Sequence, residues 1–183
     1  MIRPIIFFAD PVLRTVGAKI TTVTEEVLSL AGDMLDTMQS ADGVGLAAQQ
    51  VGVALQLAVV DIREVEERPS KMWVNGEEVD PMPFMPMVLL NPELVLGKER
   101  EPGKEGCLSF PKMTSEILRS IRVHCRAQKL DGTEYDFEAE GFLARALQHE
   151  VDHLNGVLFI DRMTSAAKAS LAGKLKRLMR GGR

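Results

Sequence analysis

A chain of 183 residues, 45% hydrophobic and 26% charged, has the apolar mass for one globular domain with a full core. It has no run of about 18 apolar residues, which argues against a membrane-spanning helix. Two cysteines, Cys107 and Cys125, exclude a disulfide framework and suit a reducing compartment.

The opening run Met1-Ile2-Arg3-Pro4-Ile5-Ile6-Phe7-Phe8 is short, apolar and broken by proline, with no small-residue cleavage site. It reads as the start of the mature fold rather than a signal peptide, so a cytoplasmic location is expected. Thr24 is placed to cap a helix over Glu25–Ser40, with Leu28, Leu35 and Met38, joined by Ala31 and Met34, as its apolar side. Gly43-Val44-Gly45 is half of a dinucleotide fingerprint, but no third glycine falls at the required spacing, so nucleotide binding is rejected. These glycines instead let a backbone approach something closely, either core packing or an extended substrate.

Residues 55–61 read as a buried strand. Residues 64–84 are charged and then rich in proline and methionine. They predict a long surface excursion with a turn at Asn75-Gly76, a loop in preference to a lid or rim. Residues 87–91 predict a strand stopped by Pro92. Strands near 120–130 and 133–139, joined at Asp131-Gly132, follow; alternation turns Cys125 inward as core filler and His124 outward.

In the next helix Phe142, Ala146, His149 and His153 recur at i, i+4, i+7 and i+11, beside a stripe of Leu143, Leu147, Val151 and Leu154. So wide an apolar face predicts a buried helix, and Asn155-Gly156 is its stop signal. From Arg162 onward there are seven Lys or Arg and no acid, so the net charge of −4 divides into +7 there and −11 on the rest. Leu171, Leu175 and Leu178 make Ser165–Met179 an amphipathic basic helix. It is either a dock for an anionic partner such as RNA or a solvated helix end whose cations the helix dipole favours. Strands in the middle and helices near both ends predict one α+β domain over 1–183: mixed or antiparallel strands around the histidine helix, an N-terminal helix, and a basic terminal helix at about 164–183.

Gln148-His149-Glu150-Val151-Asp152-His153 contains HExxH. On a helix the two histidines share one face and can grip one metal ion, while Glu150 stands beside them to handle the proton of an attacking water. The alternative is a structural helix with two surface histidines. A catalytic metal site wants three protein ligands. Downstream of His153 there is no histidine and the only acid is Asp161, which argues against a peptidase of the zincin type. Cys107, in Glu105-Gly106-Cys107-Leu108-Ser109, is the natural third donor.

Gly43-Val44-Gly45-Leu46-Ala47-Ala48-Gln49-Gln50, Glu105-Gly106-Cys107-Leu108-Ser109 and the histidine segment stand in that order and together resemble the three signature motifs of the peptide deformylases. Asp10-Pro11-Val12-Leu13-Arg14 and Leu154-Asn155-Gly156-Val157-Leu158-Phe159 extend the resemblance. It implies a hydrolase that removes the N-formyl group from formylmethionine on new polypeptides during N-terminal methionine processing, acting as a monomer. It implies one divalent metal held by Cys107, His149 and His153, ferrous iron in the cell, with zinc, nickel or cobalt accepted in purified protein. Glu150 would carry the proton, and the Gln50 amide and Leu108 backbone N–H would hold the oxyanion. Gly43, Val44, Gly45, Leu46 and Ala146 would meet the substrate, Gly45 through backbone hydrogen bonds to an extended peptide.

Three departures stand out: the 64–84 segment, longer than in compact family members, Phe110 where the family commonly has Ile, and Ile117-Leu118-Arg119 where it often has a Val-Pro-Arg-like stretch. Arg119 is expected to pair with Asp152. The basic helix suggests ribosomal RNA as a partner. The rivals are an ordinary HExxH peptidase, a non-enzymatic ribosome-binding module and a paralogue with altered activity.

Overall fold

Nine strands and three helices follow one another in the computed structural model, which describes residues 1–65 and 67–180. They are α1 (Glu25–Ser40), β1 (Gly45–Ala47), β2 (Leu57–Val60), β3 (Ser70–Val74), β4 (Glu77–Val79), β5 (Met87–Leu96), β6 (Arg100–Gly106), β7 (Thr114–Ser120), β8 (Arg122–Gln128), β9 (Glu134–Gly141), α2 (Phe142–Leu154) and α3 (Ser165–Met179). Glu66, inside the expected 64–84 excursion, and residues 181–183, at the end of the expected basic segment, lie outside the described residues. No helix among the described residues is long and apolar enough to cross a membrane.

Seven strands form an antiparallel sheet in the order β1-β2-β5-β8-β9-β3-β4, and β6 pairs with β7 in a second, two-stranded sheet. β2 is buried along its whole length, as its unbroken Leu-Ala-Val-Val requires. Leu57 and Val59 face α1, which lays Leu30, Ala31, Met34 and Met38 on them. Val60 belongs to the core of the opposite face, where Leu143, Ala144 and Leu147 of α2 meet Met87, Leu89, Val123, Cys125 and Phe137. A third core joins Leu13, Phe110 and Ile117 to Phe159, Ile160, Leu175 and Leu178, and so docks α3 beside the two-stranded sheet.

Several expectations change. Leu28 is 39% exposed; the buried stripe of α1 runs through Val27, Leu30, Ala31, Met34 and Met38. Thr24 stands at the N-cap, but its side chain makes no capping hydrogen bond. The strand expected to end before Pro92 continues to Leu96, because a bulge between Leu90 and Glu93 accommodates a residue with no N–H to give the ladder.

The largest correction is at 64–84. Its middle, 70–79, is not loop but the hairpin β3–β4, with both residues of the expected turn, Asn75 and Gly76, at positive φ as a tight primed turn demands. β3 adds to β9, and Ser70 Oγ accepts from Leu143 N at 2.9 Å, capping α2 from outside its own chain segment. Phe142 N also donates to Pro69 O at 3.1 Å. Gly141 makes the junction possible: its φ is +72°, and a Cβ there would sit 2.3 Å from Pro69 O.

Candidate metal centre

α2 is buried along nearly all of its length although half of its buried residues are polar. Each such group must find a partner or carry a large desolvation cost. Gln148 solves this by clasping β7: its Oε1 accepts from Ser120 N at 3.0 Å and its Nε2 donates to Ser120 O at 2.9 Å. Asp152 accepts from Arg119 and from Arg162, the former as the sequence predicts.

His149 and His153 project from successive turns, with ring centroids 5.0 Å apart. Cys107 follows directly after β6, and its Sγ lies 3.3 Å from His153 Nε2. The donor atoms of Cys107, His149 and His153 all lie within 4.8 Å of one another. Bonds of about 2.0–2.3 Å to a common cation place tetrahedral ligands in that range of separations. His149 Nδ1 meets Glu105 Oε2 at 3.0 Å, which leaves Nε2 to face a cation. His153 Nδ1 is buried with no hydrogen-bond partner among the described residues. A thiolate and two imidazoles suit zinc, iron, nickel or cobalt. The residues fit a divalent metal.

Glu105 anchors this arrangement. Its Oε1 accepts from Arg119 Nε at 2.9 Å and Arg145 Nη1 at 3.0 Å, and its Oε2 accepts from Arg119 Nη2 at 3.0 Å. Burial pushes the carboxyl up, but the His149 and Arg119 hydrogen bonds outweigh it and hold the group down at about 2. For His149, burial lowers the imidazole while Cys107 and Glu105 raise it further, leaving it well above its ordinary value. Burial takes His153 well below. Glu150, buried with Oε2 unpartnered, is pushed up to about 7 by desolvation.

Gln50 sits in the 3-10 turn that follows β1. Its Oε1 accepts from Ala47 N at 2.9 Å, which turns Nε2 toward Ser109 Oγ at 3.2 Å and Cys107 Sγ at 3.6 Å. Leu108 N–H has no internal acceptor among the described residues. Gly45 lies against Glu150: a Cβ there would be 2.2 Å from Oε1.

These groups line one cavity of about 430 Å³, with Gly43, Val44, Gly45 and Ala146 on its wall. Leu46 is a correction. The alternation of β1 turns it into the α1 core, fully buried and away from the cavity. His153 lies beneath the lining, behind Cys107. Another cavity, of about 450 Å³, opens at Gln148, Val151, Asp152 and Asn155 and holds none of the donor triad, so size does not choose the site.

Sequence reasoning missed three supports. Glu105 reads in the sequence only as part of a motif, Arg145 carries no motif, and nothing local ties Ser109 to Gln50. The unusual density of buried charge on an otherwise apolar helix was the available signal for Arg145.

The model of the polypeptide deformylase family matches residues 2–169. A peptide deformylase of Opitutus terrae is 44% identical over 177 residues, covering 95% of this chain and 91% of its own. One from Methylacidiphilum infernorum is 40% identical over 181 residues, covering 99% and 95%. Among solved structures, a peptide deformylase from Legionella pneumophila superposes with a TM-score of 0.80 at 35% identity, covering 98% of this chain and 96% of its own. One from Ehrlichia chaffeensis gives 0.84 at 30% identity, covering 100% and 98%.

Proposed function

Because the chain belongs to the polypeptide deformylase family, we propose that its Cys107–His149–His153 centre hydrolyses the N-formyl group of N-formylmethionine on newly made polypeptides, releasing formate. The observation that carries this reading is the meeting of Cys107 and His149 with Glu150 and Gln50 on the wall of one cavity, with the third donor, His153, directly behind Cys107.

Cys107, His149 and His153 would hold a divalent cation, Fe2+ in the cell, which would supply Lewis acidity and make water a better nucleophile near neutral pH. Glu150 takes the proton of the attacking water and returns it to the leaving amine. Gln50 Nε2, turned by Ala47 N, and the unengaged Leu108 N–H donate to the oxyanion that forms at the formyl carbon. The Gly45 backbone lies close against Glu150 and leaves little space there, which admits a hydrogen on the acyl carbon and disfavours larger acyl groups, while Gly43 packs against Leu108. Val44, Leu108 and Ala146 offer apolar wall to the methionine side chain. β1 is an edge strand, so Gly45 can receive the peptide as an added strand.

The reaction belongs in the cytoplasm, co-translationally, with the protein acting as a monomer. Lys168, Lys174, Lys176 and Arg177 on α3 and Arg180 at its C-cap are exposed while Leu175 and Leu178 are buried, an arrangement suited to ribosomal RNA. Since those leucines hold α3 in the core, charge reversal tests this better than deletion. Lys174→Glu with Lys176→Glu should weaken ribosome binding and spare hydrolysis of short peptides; unchanged binding would leave the helix a structural role.

The test of the main reading is formate release from formyl-Met-Ala-Ser by protein purified anaerobically with its metal quantified, beside Glu150→Ala. Fast release that disappears in the variant while metal is retained supports the assignment. No release from fully metallated protein rejects it in favour of another acyl substrate.

A further inference from the structure

Around the proposed catalytic groups the cavity lining carries a charge pattern that the hydrolysis itself does not use. Arg68, Lys104 and Lys112 all line it, and none forms an ion pair among the described residues. Asp42 is the exposed acid on the same lining. The buried acids of the lining pair elsewhere: Glu105 hydrogen-bonds Arg119, Arg145 and His149 and reaches Arg68, as Glu101 does, only through space, and Glu150 faces Gly45 in the interior. Glu116 stands across the ladder from Lys104 and Glu67 adjoins Arg68, but neither closes on its neighbour.

The cations are positioned rather than merely present. Arg68 lies with its guanidinium carbon 4.2 Å above the centre of the Phe142 ring at the start of α2. Lys112 occupies a left-handed position, φ +58°, in the turn closed by Met113 N to Phe110 O at 3.2 Å. Lys104 is exposed on β6, next to the inward-facing Glu105. A substrate held by its formyl group beside Glu150 shares the cavity with these three side chains.

We propose that Arg68, Lys104 and Lys112 make this protein select peptides that carry acidic residues shortly after the formylmethionine. The inference rests on the deformylase reading and adds a specificity to it. An extended peptide turns successive side chains to opposite sides, so of two consecutive acidic residues one faces the cations whatever the register. Each exposed charge pair changes affinity by roughly twofold to fivefold, so attraction of an acidic peptide and repulsion of a basic one together separate the two by about tenfold. The separation lies in KM, because contacts remote from the reacting carbonyl bind substrate and transition state alike.

The experiment compares three amidated peptides, formyl-Met-Ala-Glu-Glu, formyl-Met-Ala-Ser-Ser and formyl-Met-Ala-Lys-Lys, on the metallated full-length protein. The expected order of kcat/KM is Glu above Ser above Lys, with about tenfold between the extremes, carried by KM. Raising the salt to about 1 M, where screening acts within about 3 Å, should bring the ratio toward one. So should the combined variant Arg68→Gln, Lys104→Gln, Lys112→Asn, asparagine being the polar residue that tolerates the left-handed turn. Equal rates for the three peptides, a preference for lysine, or an acidic preference that survives in the triple variant would each overturn the inference while leaving the deformylase intact. No formate from any of the three would overturn the deformylase reading and this inference with it.

Discussion

Glu105 Oε2 meets His149 Nδ1 at 3.0 Å, and the same carboxylate is clamped by Arg119 and Arg145. The ring that is to hold a metal is therefore oriented by a carboxylate that is itself immobilised. Outer partners of this kind typically change metal affinity by about 10–100-fold. Glu105→Gln should release metal to a chelator that much more readily, and should also destabilise the fold by leaving two buried arginines undercompensated. Chelator competition with metal analysis reads the first effect; an unchanged affinity would make Glu105 purely structural.

Gly45 and Glu150 cannot both keep their places once a Cβ is added, because it would lie 2.2 Å from Oε1. Gly45→Ala should move the carboxylate and lower kcat by about 10²-fold, the usual cost of a misplacement near 1 Å, with metal content unchanged. Near-normal turnover would mean that Glu150 needs no fixed position.

Gln50→Ala removes an amide whose oxygen is held by Ala47 N and whose nitrogen points at Ser109 and Cys107. The expected loss is about 10²–10³ in kcat with the metal retained, the cost of one oxyanion donor. Wild-type turnover would remove Gln50 from the mechanism.

The metal-free chain should show a stability slope that reports on Glu150. Its carboxyl is raised by burial to about 7 from an ordinary value of 4.5, so the folded state holds this proton more tightly than the unfolded state. The contribution is complete below pH 4.5 and is lost as pH rises through 7, a change on the order of 3 kcal/mol. Glu105 acts in the opposite sense: depressed to about 2, it supplies stability above 4.5 that disappears as pH falls toward 2. Denaturant melts of chelated wild type and Glu150→Gln from pH 4.5 to 7 should diverge; parallel curves would contradict the assignment.

Ser70 lies 73 positions before the residue it caps, Leu143. Ser70→Ala should cost about 1 kcal/mol, lowering Tm by about 2–4 °C, without abolishing activity. A thermal melt decides it, and no shift would show that the β3–β9 pairing alone holds the start of α2.

How far the chain could be read depended on how local each constraint was. Helix α2 is written in the spacing of Ala146, His149 and His153 and ends at Asn155-Gly156 as expected. The basic helix and the Asp131-Gly132 turn were legible for the same reason. β6 was not: Arg-Glu-Pro-Gly-Lys-Glu-Gly has no apolar alternation, and it becomes a strand only because β7 supplies its hydrogen bonds. The hairpin at 70–79 was hidden by charged and proline-rich flanks, although its Asn75-Gly76 turn was recognisable.

By itself, then, the sequence determined which donors exist and which lie on one helical face, because a 3.6-residue period needs only neighbours along the chain. Tertiary structure alone decided that Cys107 reaches His153, that Glu105 orients His149, that Leu46 turns from the cavity into the core, and that Ser70 caps a helix from another strand. Each of those depends on strand order and register, which join residues far apart in the chain through backbone hydrogen bonds that carry no mark of residue identity.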